Sequence, residues 1–414
     1  MSDYEEKYEC TFCKRDEFHE ILDLGEVPLA GYFPTKNQLE EKNVYPLKLM
    51  MCTFCKLVQT DSIINPDVLF KDYRYLSSVG LKNHFKELAI HLDEVFDIDG
   101  KNILEIGCND GVLLEPLAEL GANVVGVDPA SNVVKVAREK GLNVIEGYFN
   151  YENFESHKDK YDLVLANNSF AHISDIKSVG KGVNRILKED GYFVFEVHYL
   201  KNLIDENQWD NIYHEHLYYH SITALDKILR KCGMTLLDFE EIPIHSGSIR
   251  VSAINMRLMG HLQPQKVKNR IMIERKTIAN ENYMYGFTKK VNNHIEVFKN
   301  EIRQLSKTYK IAGYGASGRA NMFCNLTGLD ENVVQFVVDE SPERCGRYIA
   351  NTKIPIVDVD TLKNSDVDII IIFAWNYSKM IMEKTKFKKC SYLVAFPNVQ
   401  LVDSYDELEG FDSI

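Results

Sequence analysis

From Lys101 onward the chain alternates short apolar runs with stretches of helical periodicity, and that alternation restricts it to a parallel, doubly wound α/β sheet. Asn102-Ile-Leu-Glu-Ile-Gly107 has the pattern of a buried strand, residues 108–111 of a turn and 112–120 of a helix. Further strands are expected at 123–128, near 142–145, at 161–166 and at 191–197. A second alternation starts at Lys310: a strand, Gly313-Tyr-Gly315-Ala-Ser-Gly318, a helix, and a strand at 333–338 ending in Asp339. Between the two, residues 263–307 are mostly polar with apolar residues at helical spacing (Ile271, Ile273, Ile278, Phe287, Val291, Ile295, Phe298), a pattern of connecting helices. A chain of 414 residues exceeds one core, and at about 150 residues per domain it holds two or three. The expected boundaries are 1–80, 81–258 and 259–414.

In a sheet of this kind the ligand lies at the carboxyl ends of the strands. There the chain reads Glu105-x-Gly107-x-Asn109-x-Gly111, with glycines that let backbone approach a cofactor closely. Asp128 ends the next strand, where a carboxylate can accept both hydroxyls of a ribose. The spacing of Gly107 and Gly111 does not fit the dinucleotide pattern Gly-x-Gly-x-x-Gly. The motif resembles that of the class I S-adenosylmethionine-dependent methyltransferases, whose cofactor has no pyrophosphate. Asn109 departs from it, since many of those enzymes have glycine there. The resemblance implies S-adenosylmethionine held by Glu105, Gly107, Asn109, Gly111, Asp128 and Asn167.

Cys-Thr-Phe-Cys occurs twice, at Cys10–Cys13 and Cys52–Cys55. Each turn can point two thiolates at one centre, and two turns complete a tetrahedral site without an open position. Cys10, Cys13, Cys52 and Cys55 are therefore expected to hold a structural zinc, stapling a segment too small to fold alone. A redox dithiol would follow a strand and open a helix, and neither pair has that context. The other five cysteines are scattered, which suits a reduced, cytoplasmic chain more than a disulfide scaffold. Between the knuckles, residues 24–34 are rich in turn formers and read as an irregular loop. Beyond them, Tyr73-Arg-Tyr75-Leu-Ser77-Ser78 leads into an amphipathic stretch at 84–96, and its tyrosines suit interdomain packing.

The fourth core strand runs into Asn167-Asn168-Ser-Phe-Ala-His172 at the cofactor end. After the fifth comes a non-periodic run, Trp209-Asp-Asn-Ile-Tyr213-His214-Glu215-His216-Leu-Tyr218-Tyr219-His220-Ser221. Four ionisable groups in succession are costly to bury without a purpose, so this is read as an active-site loop. It begins like the zinc motif His-Glu-x-x-His, but Tyr218 stands where the second histidine is needed.

The set formed by the four cysteines, Glu-Ile-Gly-x-Asn-Asp-Gly and Tyr-His-Glu-His resembles the C-methyltransferases that act on nucleotide-linked keto-deoxysugars. The likeness extends to the C-terminal Gly-Tyr-Gly and Ala-Trp-Asn-Tyr segments. It implies an α/β fold of an N-terminal zinc-binding unit, a class I methyltransferase core and a C-terminal Rossmann-like lobe. It also implies that Tyr213, Glu215, His216, Asn168 and His172 line the pocket of a nucleotide-linked sugar. His216 would remove a proton beside a ketone, and the resulting enolate would attack the methyl sulfonium. Glu215 would orient His216 or a substrate hydroxyl, and Tyr213, His172 or Asn168 would serve the developing oxyanion. Which sugar, carbon and nucleotide are involved is left open.

Competing readings are an O- or N-methyltransferase on the same sugar class and a zinc-ribbon module for nucleic acid. The net charge of −13 and the lack of a basic cluster near the cysteines weigh against the latter. The longest apolar run, 369–375, is far shorter than the roughly 20 residues of a membrane span, and the acidic N-terminus has no signal-peptide pattern. The C-terminal glycines with Asp339 form a dinucleotide fingerprint that, taken alone, would suggest a dehydrogenase. The family resemblance instead implies a lobe that keeps the fold without a nicotinamide cofactor, where Ser317 and Arg319 could hold a diphosphate.

Overall fold

The computed structural model describes residues 3–41, 43–65, 68–69, 81–259 and 262–409; the tyrosine-bearing stretch 73–78 lies outside them. Three main sheets follow one another along the chain. The first is antiparallel, with strands Phe18–Val27, Tyr45–Cys52 and Val58–Thr60 in that order. Its fourth strand, Tyr218–Tyr219, comes from the loop after the core's fifth strand and pairs antiparallel with Val58–Thr60. A separate pair, Tyr4–Glu6 and Ser62–Ile64, closes this unit. The loop expected at 24–34 begins instead as strand, because Leu24 and Val27 are buried against Tyr45–Cys52. Its turn former Gly25, at φ +68°, makes a bulge between Asp23 and Glu26 rather than a turn.

The central sheet has seven strands in the order Met234–Ile242, Ser248–Asn255, Leu187–His198, Tyr161–Asn167, Asn102–Ile106, Asn123–Asp128, Val144–Glu146. The last five are parallel to one another, as expected, but the first two are antiparallel. Only a short turn, 243–247, joins them, and so short a link cannot return a strand in parallel. Helix Lys82–Phe96 covers one face, where Phe85, Leu88 and Leu92 meet Ile103, Leu163 and Val194. Val179, Val183, Leu225 and Leu229 cover Phe193 and Phe195 on the other.

The third sheet runs Ile356–Val357, Val334–Val338, Ile311–Tyr314, Ile369–Ile372, Ser391–Val394, Gln400–Val402, parallel except for its last strand. The polar connection folds as helices Gln265–Glu274 and Glu281–Leu305. Phe287, Val291, Phe298 and Ile302 of the long helix are buried at helical spacing, and Thr288 Oγ1 donates to the Ile21 carbonyl of the first sheet. Glu274 is buried but fully engaged, accepting from Tyr199 Oη, Ile222 N, Thr223 N and Thr223 Oγ1. One contiguous apolar cluster joins all three sheets, from Leu47 through Phe195 to Phe323.

Candidate active site and zinc centre

The two cysteine knuckles have the same backbone. Lys14 N donates to the Cys10 carbonyl at 2.9 Å and Lys56 N to that of Cys52 at 3.0 Å. Both lysines take left-handed φ, +62° and +64°. The repeated unit is thus Cys-Thr-Phe-Cys-Lys, one residue longer than the motif first apparent. The four sulfurs lie within 4.8 Å of one another, with Cys10–Cys55 at 3.6 Å and Cys13–Cys52 at 3.5 Å. Zinc–thiolate bonds of about 2.3 Å in a tetrahedron require sulfur spacings near ~3.8 Å, so the four thiolates fit a closed zinc site.

At the other end of the molecule's chemistry, Asp128 accepts Asn109 N on Oδ2 and Ala130 N on Oδ1, both at 2.9 Å. Burial raises its pKa, and those two N–H groups oppose the rise. Each oxygen keeps a lone pair for a hydroxyl donor. Gly107, Asn109 and Gly111 all have positive φ. A Cβ on Gly107 would stand 2.5 Å from Ser169 Cβ, so glycine is required there. Asn109 sustains the left-handed turn in place of glycine by accepting Asp110 N on its own side chain. Glu105 is buried, and burial pushes its carboxyl up to about 8, with Asp128 adding to the rise. The buried Glu105 Oε2 and the Asn167 amide atoms have no hydrogen-bond partner among the described residues. Orphaned buried polar groups of this kind are rare without a ligand, and with Asp128 they fit a cofactor that carries a ribose and a polar tail.

The substrate residues expected from sequence meet beside this pocket. The His172 and His216 rings are 5.0 Å apart, and Tyr213 lies over His216 at 4.1 Å. Tyr213 Oη is 3.0 Å from His216 Nε2, and His216 Nδ1 is 3.3 Å from the Asn211 carbonyl. A carbonyl can only accept, so Nδ1 carries the hydrogen and Nε2 accepts from the tyrosine. By the same logic His172 Nδ1–H donates to the Glu215 carbonyl at 2.5 Å. Burial, with His172 adding to it, holds the His216 pKa well below the ordinary histidine value, so its imidazole is neutral at pH 7. Asn168, at φ +53°, donates its N–H to the Glu196 carbonyl and leaves a buried side-chain Nδ2 without a partner among the described residues.

Glu215 departs from the expectation that it could orient His216. Its Oε1 accepts Gly31 N, from the N-terminal unit, at 3.0 Å, and its Oε2 is buried without a partner among the described residues. His214 turns away from the pocket, toward the Pro46 carbonyl at 3.1 Å. Arg319 is likewise engaged, making a two-pronged bond to Asp210 at 2.8 and 3.0 Å.

Two further histidines, His198 and His245, lie near His216 and were not read from sequence. His198 Nε2 is 2.9 Å from Gln208 Oε1. His245 begins a run of three left-handed residues, at φ +54°, +63° and +109° through Ser246 and Gly247, and such runs concentrate at functional sites. Burial lowers both, His198 to about 3 and His245 to about 4. The sequence signal for the second was a histidine one residue before Ser-Gly in a tight hairpin. Glu196 forms a buried pair with His84 at 2.7 Å and Arg250 at 2.8 Å, which overcome the effect of burial and hold its carboxyl low.

Comparison with known proteins bears on all three units. The family model "C-methyltransferase C-terminal domain" matches residues 243–397, "Methyltransferase domain" residues 81–238 and "Putative zinc binding domain" residues 10–70. C-methyltransferase NovU of Streptomyces niveus is 30% identical over 390 residues, 91% of this chain and 92% of that protein. Ubiquinone biosynthesis O-methyltransferase of Hydrogenovibrio crunogenus is 29% identical over 155 residues, 34% of this chain and 64% of that protein. The solved structure of magnesium protoporphyrin IX methyltransferase from Synechocystis PCC 6803 with bound SAM is 17% identical, with a TM-score of 0.34, over 43% of this chain and 80% of that one.

Proposed function

This chain belongs to the C-methyltransferase family that includes NovU, and we propose that it methylates a carbon of a nucleotide-linked 4-keto-deoxysugar through an enolate. S-adenosylmethionine, when bound, supplies an electrophilic methyl group. The chain's own residues must then make a carbon nucleophilic, which requires a base beside a ketone. The observation that carries the reading is the Tyr213–His216 pair, with a neutral imidazole whose Nε2, among the described residues, accepts from a tyrosine hydroxyl. As Tyr213 oxygen takes the carbon-bound proton, its own proton passes to Nε2. The Asn211 carbonyl stabilises the imidazolium that results through Nδ1–H. Asn168 Nδ2 is an available donor for the developing oxyanion. Glu215 Oε2 is the acceptor for a sugar hydroxyl, and the hydroxyl would supply the partner that this oxygen lacks among the described residues.

The test is deuterium wash-in from heavy water at the carbon next to the ketone, with S-adenosylhomocysteine in place of the donor. Wild type should exchange that proton with a panel of nucleotide-linked 4-keto sugars. His216→Gln and Tyr213→Phe should bind cofactor normally and lose roughly 10²–10⁴-fold in rate. Equal exchange in His216→Gln would remove His216 from the role, and product methylated on oxygen or nitrogen would overturn the enolate.

A further inference from the structure

We propose that the glycine-rich turn of the C-terminal lobe, with Arg319 and Asn321 beyond it, is a clamp that positions the substrate loop and holds no dinucleotide. The inference rests on the reading of loop 209–220 as catalytic. In a dinucleotide site the second glycine keeps space for a close backbone approach to pyrophosphate, and the helix N-terminus is left open to it. Here protein fills it. A Cβ on Gly313 would stand 2.3 Å from Phe373 Cε2, on Gly315 2.8 Å from Ala374 Cβ, and on Gly318 3.0 Å from Ala30 Cβ. Ala30 belongs to the N-terminal unit and packs on the first residue of helix Gly318–Thr327, where a phosphate would sit. Asp339, the acid of the fingerprint, is used within its own turn by Ser341 N at 2.8 Å and Arg344 at 3.4 Å.

Two arms run from this turn to the reacting groups. Arg319 grips Asp210 with both prongs of its fork while lying 4.4 Å over the Trp375 ring, and Trp375 Nε1 donates to the same carboxylate at 3.1 Å. Asp210 is 1% exposed. The next residue is Asn211, whose carbonyl accepts His216 Nδ1–H and Tyr219 Oη. Trp209, on the other side of Asp210, donates to His294 Nδ1 at 3.0 Å, and His294 Nε2–H donates to the Ala395 carbonyl at 2.7 Å. The second arm is Asn321. Its Nδ2 donates to the Ala30 and Tyr32 carbonyls, both at 2.8 Å, and its Oδ1 accepts Ala350 N at 3.0 Å. Between those two carbonyls lies Gly31, whose N–H holds Glu215. One arm thus fixes the backbone under His216, and the other the backbone that anchors Glu215.

Removing Arg319 outright would strand a buried carboxylate, which commonly unfolds a protein. The informative variants are therefore Arg319→Lys, which keeps the charge without the fork or the ring contact, and the neutral pair Asp210→Asn with Arg319→Gln. In the full-length protein both should lose about 10²-fold in kcat, the scale of a small misplacement of reacting groups, with KM and Kd for S-adenosylmethionine unchanged. Amide hydrogen exchange should quicken across 209–220 and stay unchanged in strand Asn102–Ile106. NAD titrated into wild type should give no binding heat. Unchanged kcat and unchanged exchange at 209–220 in both variants would overturn the clamp, and so would NAD binding that protects 313–321. If wild type exchanges no proton on any keto sugar, the enolate reading fails by itself, while amide exchange at 209–220 still decides the clamp.

Discussion

Asp128 offers one lone pair on each oxygen after its two backbone bonds, and a ribose diol has two hydroxyls to donate. Asp128→Ala removes both charge-assisted acceptors, at roughly 1.5–3 kcal/mol for each such bond. Calorimetry should therefore show S-adenosylmethionine affinity falling by at least about tenfold; unchanged affinity would place the cofactor elsewhere. His216 gives a pH prediction of definite sign. The base must be neutral, and burial holds its folded pKa well below 6.5. The rate kcat/KM should therefore stay level as pH falls through 6.5 and decline only in more acidic solution. An acid limb centred at 6.5 or above would mean that the rate-controlling group is a solvated histidine. The roles of single residues were only partly legible in the sequence. Tyr213, His216, His172 and Asn168 were singled out by the family resemblance that Tyr-His-Glu-His and the end of the fourth strand carry, and the rings of Tyr213, His216 and His172 do come together. The anchor of Glu215 was not, because its partner Gly31 lies 184 residues away, and no local pattern encodes such a contact.

At the scale of elements, strand Asn123–Asp128 was legible to the residue, since its apolar run stops at a charged residue that the cofactor end requires. The edge hairpin was not, because the direction of a strand follows from how it is connected, and here the link is only the short turn 243–247. Strand Tyr218–Tyr219 has two residues, and its partner Val58–Thr60 follows directly on the second cysteine knuckle. That pairing makes the metal unit a wall of loop 209–220. Loss of the zinc should release Val58–Thr60, and with it the register of Tyr213–His216, while leaving Asp128 and Glu105 in the central sheet untouched. Cys52→Ser should therefore lose its equivalent of zinc by elemental analysis and most turnover, yet titrate with S-adenosylmethionine almost as wild type does. Full activity in metal-free protein would show that the knuckles do not support the loop.

Taken whole, the molecule buries His214, His220 and His294, and one apolar cluster joins its three sheets, so it should unfold in a single transition that reports protonation anywhere in it. Burial lowers His198 and His220 to about 3, and His214 and His245 to about 4. Unfolded, each returns to about 6.5. Below 6.5 the unfolded chain thus binds more protons than the folded one, and stability falls with pH. The contribution of these groups is present above pH 6.5 and is lost as pH drops through 6.5 toward 3. His220 isolates the effect. It is 0% exposed, stacks on Phe170 with ring centroids 5.7 Å apart, and neither ring nitrogen has a partner among the described residues. A buried polar group left unpaired costs about 1–3 kcal/mol, and an aromatic hydrocarbon of similar shape avoids that cost. His220→Phe should therefore raise the urea midpoint at pH 7.5 and flatten its decline between pH 7 and 5, because one proton fewer is taken up on unfolding. A lower midpoint with an unchanged pH slope would show that the His220 ring is hydrogen-bonded in solution and that its proton plays no part in acid unfolding.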